Sequence, residues 1–181
     1  MRNKKRFGAD GVGISFAVLL GIVFILLIPV TPRLLIIHNG AAVLFIKLPE
    51  SGRFVIRYSH SVNRSEVDDT VERSGVDLIV RSSLYQTFGA GIPVADDMVN
   101  GRRAGTSLTK TDNGLLLEGI DTVYKEINLL TGTYSNHRII TEDKQYVLKD
   151  IVGEKQLIKI KPEYVSMLRL FTAAVIRNFR N

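Results

Sequence analysis

Residues 53–69 read RFVIRYSHSVNRSEVDD. Apolar or aromatic side chains fall at every second position. Phe54, Ile56, Tyr58 and His60 therefore share one face of an extended strand, and Val55, Arg57, Ser59 and Ser61 share the other. The polar run at 62–65 reads as a turn that returns the chain antiparallel. It sets Val67, Asp69 and Val71 beside the Tyr58/His60 face. A period of two is incompatible with a helix, and it fixes the class of this stretch as β.

The same texture extends on both sides. Short apolar or alternating runs occur at 34–37, 42–48, 53–60, 66–72, 77–81, 105–110, 115–118, 125–129, 135–141, 145–151 and 156–160. Turn signals separate them: Asn39-Gly40, Pro49 to Gly52, Ser74-Gly75, Asp112-Asn113-Gly114 and Thr131-Gly132. Asn113-Gly114, flanked by apolar runs, is the strongest hairpin signal. Strands this short and this evenly spaced predict a mainly β fold, a β-sandwich or barrel, and argue against βαβ units. Residues 33–161 fit one such domain. The chain contains no internal repeat.

Both ends depart from this pattern. The 22 residues between Asp10 and Arg33 carry no charge, and residues 12–30 read VGISFAVLLGIVFILLIPV. About 20 apolar residues in a helix span a hydrocarbon core of roughly 30 Å. Arg2, Lys4, Lys5 and Arg6 precede the run. By the positive-inside rule, residues 1–10 form a cytoplasmic basic tail, 11–32 a transmembrane anchor, and the rest is exported. The exit Leu27-Ile28-Pro29-Val30 lacks the small residues of a signal-peptidase site, so an uncleaved anchor is expected over a cleaved signal peptide. At the other end, Pro162 is placed as in the first turn of a helix over 162–181. Tyr164, Met167, Leu168, Phe171, Ala174 and Val175 recur there at helical spacing. Arg169 and Arg177 exclude a second span. The amphipathic helix either closes one end of the β-domain or lies on the membrane surface as a basic interfacial helix.

Composition removes several chemistries. The 181 residues include no Cys and no Trp, which excludes a disulfide framework, a Cys-based zinc site and a thiol nucleophile. The formal charge is +6, but the tail 1–10 holds four of the 24 basic residues and one of the 18 acids. The exported part therefore carries only +3, with both signs mixed. That is no basis for nucleic-acid binding.

Further along, Tyr85-Gln86-Thr87-Phe88 leads into Gly89-Ala90-Gly91-Ile92-Pro93. Two glycines around Ala90 allow positive φ and close backbone approach, and Pro93 stiffens the exit. Such a loop presents backbone N–H groups to an anion or a carbonyl. It is not a nucleotide loop, since it lacks a following Lys or third glycine and runs into Pro instead of a helix.

These two segments together carry a resemblance. The pattern F-x-I-x-Y-x-H-S-V, a Val-x-acid step, then Y-x-x-F-G-A-G-I-P resembles the family called domain of unknown function eighteen-fifty. The resemblance covers residues 53–93. The family's motif positions fall on Tyr58, His60-Ser61-Val62 and Gly89-Ala90-Gly91-Ile92-Pro93. A Thr-Pro common before the returning strand is Ser65-Glu66 here, and the usual Glu of that strand is Asp69. The resemblance implies a small membrane-anchored or exported prokaryotic protein, encoded beside TRAP transporters of the TAXI type. It implies transporter subunits or receptor as partners and supplies no established chemistry.

The residues themselves leave several readings open. His60 and Ser61 face opposite ways on a strand, so the imidazole is badly placed as base for its neighbour. There is no G-x-S-x-G elbow, and the only other histidines are His38 and His137. A metal site from His60, Asp69 and either Glu66 or Asp68 lacks paired His spacing. A structural role has His60 donate to Asp69 or to a backbone carbonyl, pinning the hairpin to the glycine loop. A recognition site would use Arg57, Tyr58 and His60 with the glycine loop to contact a small solute or a partner chain. Asp96-Asp97 and Arg102-Arg103 read as solvated surface, and Asn63-Arg64-Ser65 is a formal glycosylation sequon. No cofactor is implied. The expected function is that of a membrane-anchored extracytoplasmic accessory protein of a TRAP/TAXI-type transport system, binding a transporter component or a solute. The alternative is an exported hydrolase or metal-dependent protein centred on His60 and Asp69.

Overall fold

The computed structural model describes residues 9–62, 64–87 and 105–178, with side chains from 16 to 175. In chain order the elements are α1 (Ala9–Leu27), β1 (Pro29–His38), β2 (Ala41–Ile46), β3 (Arg53–Ser59), β4 (Glu66–Ser74) and β5 (Asp77–Tyr85). There follow β6 (Ser107–Thr111), β7 (Gly114–Tyr124), β8 (Ile127–Leu130), β9 (Arg138–Ile140) and β10 (Gln145–Val147). The chain ends with α2 (Leu148–Val152), β11 (Leu157–Ser166) and α3 (Met167–Asn178). The protein is mainly β. Two antiparallel sheets run in the orders β2-β1-β11-β8 and β10-β9-β3-β4-β5-β7-β6, which is the layering of a β-sandwich.

Chain contacts divide the molecule into two units, one of residues 32–163 and one of residues 1–31 with 164–181. The larger unit owns the core. Leu34, Ile36 and Ile46 from one sheet, with Ile158 and Ile160 of β11, meet Phe54, Ile56, Val71, Leu78 and Ile139 from the other. Leu148 of α2 plugs the same cluster. Each fully buried Leu, Ile or Val contributes about 1.5–3 kcal/mol by leaving water. In the smaller unit, α1 and α3 contact each other. The described side chains of α1, from Phe16 to Leu27, are all exposed. On α3, Met167, Leu168, Phe171 and Val175 are exposed apolar residues. Among the described residues, no helix is long and apolar enough to cross a membrane.

Two expectations are corrected. The run at 145–151 is not one strand: after three residues of β10 the chain turns into α2, where Leu148 reaches the core. Pro162 does not open a helix. It lies buried inside β11, in line with Ile158 and Ile160 by the two-residue period. The ladder of β11 with β8 stops at the pair Ile160–Ile127, so the absent proline N–H removes no hydrogen bond from that partner. The helix begins only at Met167.

The turns carry their expected chemistry in an instructive order. Asn39 and Gly40 have φ of +50° and +76°, as a two-residue hairpin loop matched to strand twist requires. In the β6–β7 hairpin the loop residues are Asp112 and Asn113, and Gly114 already pairs with Thr111. Gly114 has φ +133°, and a Cβ there would come within 2.1 Å of the Tyr85 carbonyl oxygen. Around Gly40 no atom lies within 4 Å of such a Cβ. Gly114→Ala should therefore lower stability by roughly 2–4 kcal/mol through backbone displacement, and Gly40→Ala by only about 1 kcal/mol through φ strain. Urea unfolding of the two variants checks this; equal losses would refute the steric account.

Candidate functional site

The site grows from the register of the β3–β4 hairpin. Ile56 pairs with Asp69, Arg57 with Asp68, and Tyr58 with Val67. Asp69 thus lies on the face shared by Ile56 and Tyr58, which is the inner face of the sheet, and Asp68 and Arg57 lie on the outer one. Next along, Asp69 pairs with Ser83 of β5 and Val71 with Val80. Arg81 is the extra residue between those pairs, a β-bulge that leaves both Ser83 and Val80 on the inner side and turns Arg81 outward. The β5–β7 ladder shifts at the same place, where Asp121 has φ +44°. Beyond the shift, Tyr124 joins the inner face.

Between this face and β8, the edge strand of the smaller sheet, lies a cleft of about 370 Å³. Its apolar walls are Ile56, Val71, Val80, Ile127 and Leu129. Its polar lining is Tyr58, Asp69, Tyr124, Glu126, Asn128 and His137. The imidazole of His137 packs tilted on the Tyr58 ring, with centroids 5.5 Å apart. His137 is held by its backbone: its carbonyl accepts from Leu148 N–H at 2.9 Å, and Ser59 N–H donates to Ser135 O at 2.7 Å. At the other end of this loop, the buried Thr131 hydroxyl donates to Gly153 O at 2.8 Å and accepts from Gln156 N–H at 2.9 Å.

The electrostatics of the cleft favour neutral groups. Burial raises the Asp69 carboxyl above its usual range and Asp68 adds to this, while the Ser83 hydroxyl, donating to Asp69 Oδ1 at 2.5 Å, pulls the other way. Burial, then the Asp69 charge, raises the Tyr58 phenol, and the same two causes in the same order raise that of Tyr85. Burial lowers His137, so its imidazole is neutral near pH 7. Its Nδ1 is buried and has no hydrogen-bond partner among the described residues. Glu126, at the mouth, is held ionised by Lys159 Nζ at 2.8 Å.

The residues singled out from sequence separate into three places. Tyr58 and Asp69 converge in this cleft. Arg57 lies on the opposite face, donating from Nε and an Nη to both Asp68 oxygens at 2.6 Å, and it also pairs with Glu66, which Arg138 engages from β9. His60 and Ser61 line a second cleft of about 460 Å³ with Ser59, Arg64 and Tyr134. There His60 Nδ1 accepts from Val62 N–H at 3.4 Å, and the bond that Asp69 accepts comes from Ser83. The imidazole beside Tyr58 is His137, not His60. Gly89, Ala90, Gly91, Ile92 and Pro93 lie outside the described residues, as do Asn63, Asp96, Asp97, Arg102, Arg103 and the four basic residues of the tail, Arg2, Lys4, Lys5 and Arg6. No group of three metal-ligating side chains occurs among the described residues.

Sequence reasoning missed His137, Tyr124, Glu126 and Asn128. The alternation of Glu126, Ile127, Asn128 and Leu129 was readable as a strand. That β8 faces the β3–β4 hairpin was not, because nothing local encodes it. Fold and site together define a two-sheet β protein with a ligand-sized inter-sheet cleft. The chain belongs to the family described as Domain of unknown function (DUF1850), whose family model matches residues 54–148. No curated protein and no solved structure matches it.

The raised Asp69 pKa has a signed consequence. The folded state holds this proton more tightly than the unfolded chain, so stability falls as pH rises from the unfolded value through the folded one. Asp69→Asn keeps an acceptor for Ser83 and removes the charge. The variant should be more stable than the parent at pH 7, the difference shrinking towards pH 3.5. Thermal unfolding across that range decides; a variant less stable at neutral pH would contradict the account.

Proposed function

We propose that this chain is a single-pass membrane protein with its tail cytoplasmic and its β-domain extracytoplasmic, serving as an accessory of a TRAP/TAXI-type solute transport system. It acts by binding a transporter component or a solute. The observation that carries the binding role is the inter-sheet cleft, where an aromatic ring, a carboxyl group and an unpartnered imidazole nitrogen converge within apolar walls. Two features support the anchor: the uncharged run between Asp10 and Arg33, and the exposure of every described side chain of α1. The link to transport is what the two sequence motifs imply. The enzymatic alternative needs His60 and Asp69 together, and these side chains line different clefts.

The chain has no cysteine of its own, so a single Cys reports topology without background. Asp143→Cys, at an exposed position, should react with a membrane-impermeant maleimide in intact cells. The tagged chain, extracted in mild detergent from membranes that also carry its neighbouring genes' products, should retain a transporter subunit or receptor. Labelling only after lysis would remove the exported topology. Recovery of no transporter component would remove the accessory role.

A further inference from the structure

We infer that the inter-sheet cleft binds a small organic cation, an amine or quaternary ammonium compound, held between the Tyr58 and Tyr124 rings and the carboxyl groups of Asp69 and Glu126. The inference rests on the reading of this cleft as a binding site and adds the class of ligand.

The lining decides the class. Two carboxyl groups, two phenol rings, one amide and one imidazole supply the polar surface, and among the described residues no Lys or Arg lines the cleft. Lys159 grips Glu126 but is not part of the lining, and Arg57, Arg81 and Arg138 are engaged by Asp68, Glu72, Asp121 and Glu66. An anion placed here would meet two carboxyl groups and no cationic side chain among the described lining residues. A cation meets both carboxyls, and aromatic faces attract it further through their quadrupoles, the more so where water is excluded. The unpartnered, buried Nδ1 of His137 is a polar atom with an unmet bond. Bound charge also accounts for a carboxyl group retained on an apolar wall at the cost of its own ionisation. A volume of about 370 Å³ suits a compact molecule, not a peptide. The second cleft, around His60 and Arg64, has the opposite character and offers a cationic guanidinium on the Tyr134 ring.

The test uses the full chain in detergent and measures melting temperature with millimolar choline chloride, n-butylammonium chloride, sodium succinate, or sodium chloride at matched ionic strength. Either cation should raise the melting temperature beyond the sodium chloride control, since binding to the native state stabilises it. Titration should show affinity falling roughly tenfold or more in Asp69→Asn and in a smaller degree in Glu126→Gln, each compared with its own ligand-free melting point. Cation binding unchanged in Asp69→Asn would overturn the placement. A larger shift with succinate would overturn the ligand class and leave a binding cleft in place. No shift with any probe would overturn both the class and the binding reading of the cleft.

Discussion

Everything in this protein that faces the cleft depends on β3 and β4 pairing in one register. A strand alternates faces residue by residue, so a slip of one position would carry Asp69 to solvent and Asp68 into the core. The outer face guards against that slip. Arg57 holds both oxygens of Asp68 in a fork-to-fork pair, and Glu66 is clamped between Arg57 and Arg138. The row therefore spans β9, β3 and β4. A second row, Arg53–Glu72–Arg81–Asp121, crosses from β3 to β7. Pairs this accessible contribute little net stability each, roughly 0–1 kcal/mol. Their value is geometric: the observed register sets Arg53 opposite Glu72 and Arg57 opposite Asp68, whereas a slip by one residue sets Arg53 opposite Arg73 in one direction and leaves Arg57 opposite Val67 in the other. The hydrophobic core supplies the stability, and the outer ion pairs supply the alignment.

Alignment is what allows one residue to be spent on a bulge. Without the extra Arg81, inner-face parity along β5 would run Ser83, Arg81, Ile79, and a guanidinium would point at the core. With it, Ser83 remains the donor to Asp69 while Val80 and Leu78 fall on the inner side. The bulge thus serves both faces at once. It builds the apolar wall of the cleft, and it delivers Arg81 to Glu72 and Asp121 outside. Inside, the two buried titratable groups respond to pH in opposite senses. Asp69 loses stability as pH rises through its raised value. His137, lowered by burial, resists protonation as pH falls below the ordinary imidazole range.

How much of this was legible depended on whether the signal was local. Period-two alternation located the strands and put Phe54, Ile56 and Tyr58 with Val67, Asp69 and Val71. It also carried His60 onto that face, whereas β3 ends at Ser59, and Ser59, His60 and Ser61 line one cleft together. Asn39-Gly40 and the 112–114 segment marked their hairpins because backbone handedness is written in those side chains. Pro162 misled because a proline is equally at home in the first turn of a helix and in a strand whose neighbour has ended. Only the stopping point of the β8 ladder distinguishes the two. The break at Leu148 was hidden because an apolar residue that enters the core from a short helix looks the same as one that enters from a strand. His137 was hidden most completely. It reaches Tyr58 through the pairing of β9 with β3, some eighty residues apart in sequence, and no spacing rule spans that distance.

The match to the family ends at residue 148, and the fold does not. Every residue lining the cleft lies between Ile56 and His137, inside the matched stretch. Yet β8, which forms one wall, is an edge strand whose ladder partner among the described residues is β11, at residues 157–160. The opposing half of the core, Leu34, Ile36, Ile46, Ile158 and Ile160, likewise comes from outside that stretch. A chain cut to residues 54–148 would keep all of the chemistry and lose the sheet that closes it. Ile127 and Leu129 would lose their β11 ladder partners and half of the core they pack against. The part of this protein that the family model matches therefore carries the side chains that line the cleft, and the flanking strands are the scaffold that gives it a second wall. The same strands, continued as β1 from α1 and as β11 into α3, join that wall covalently to the apolar helices.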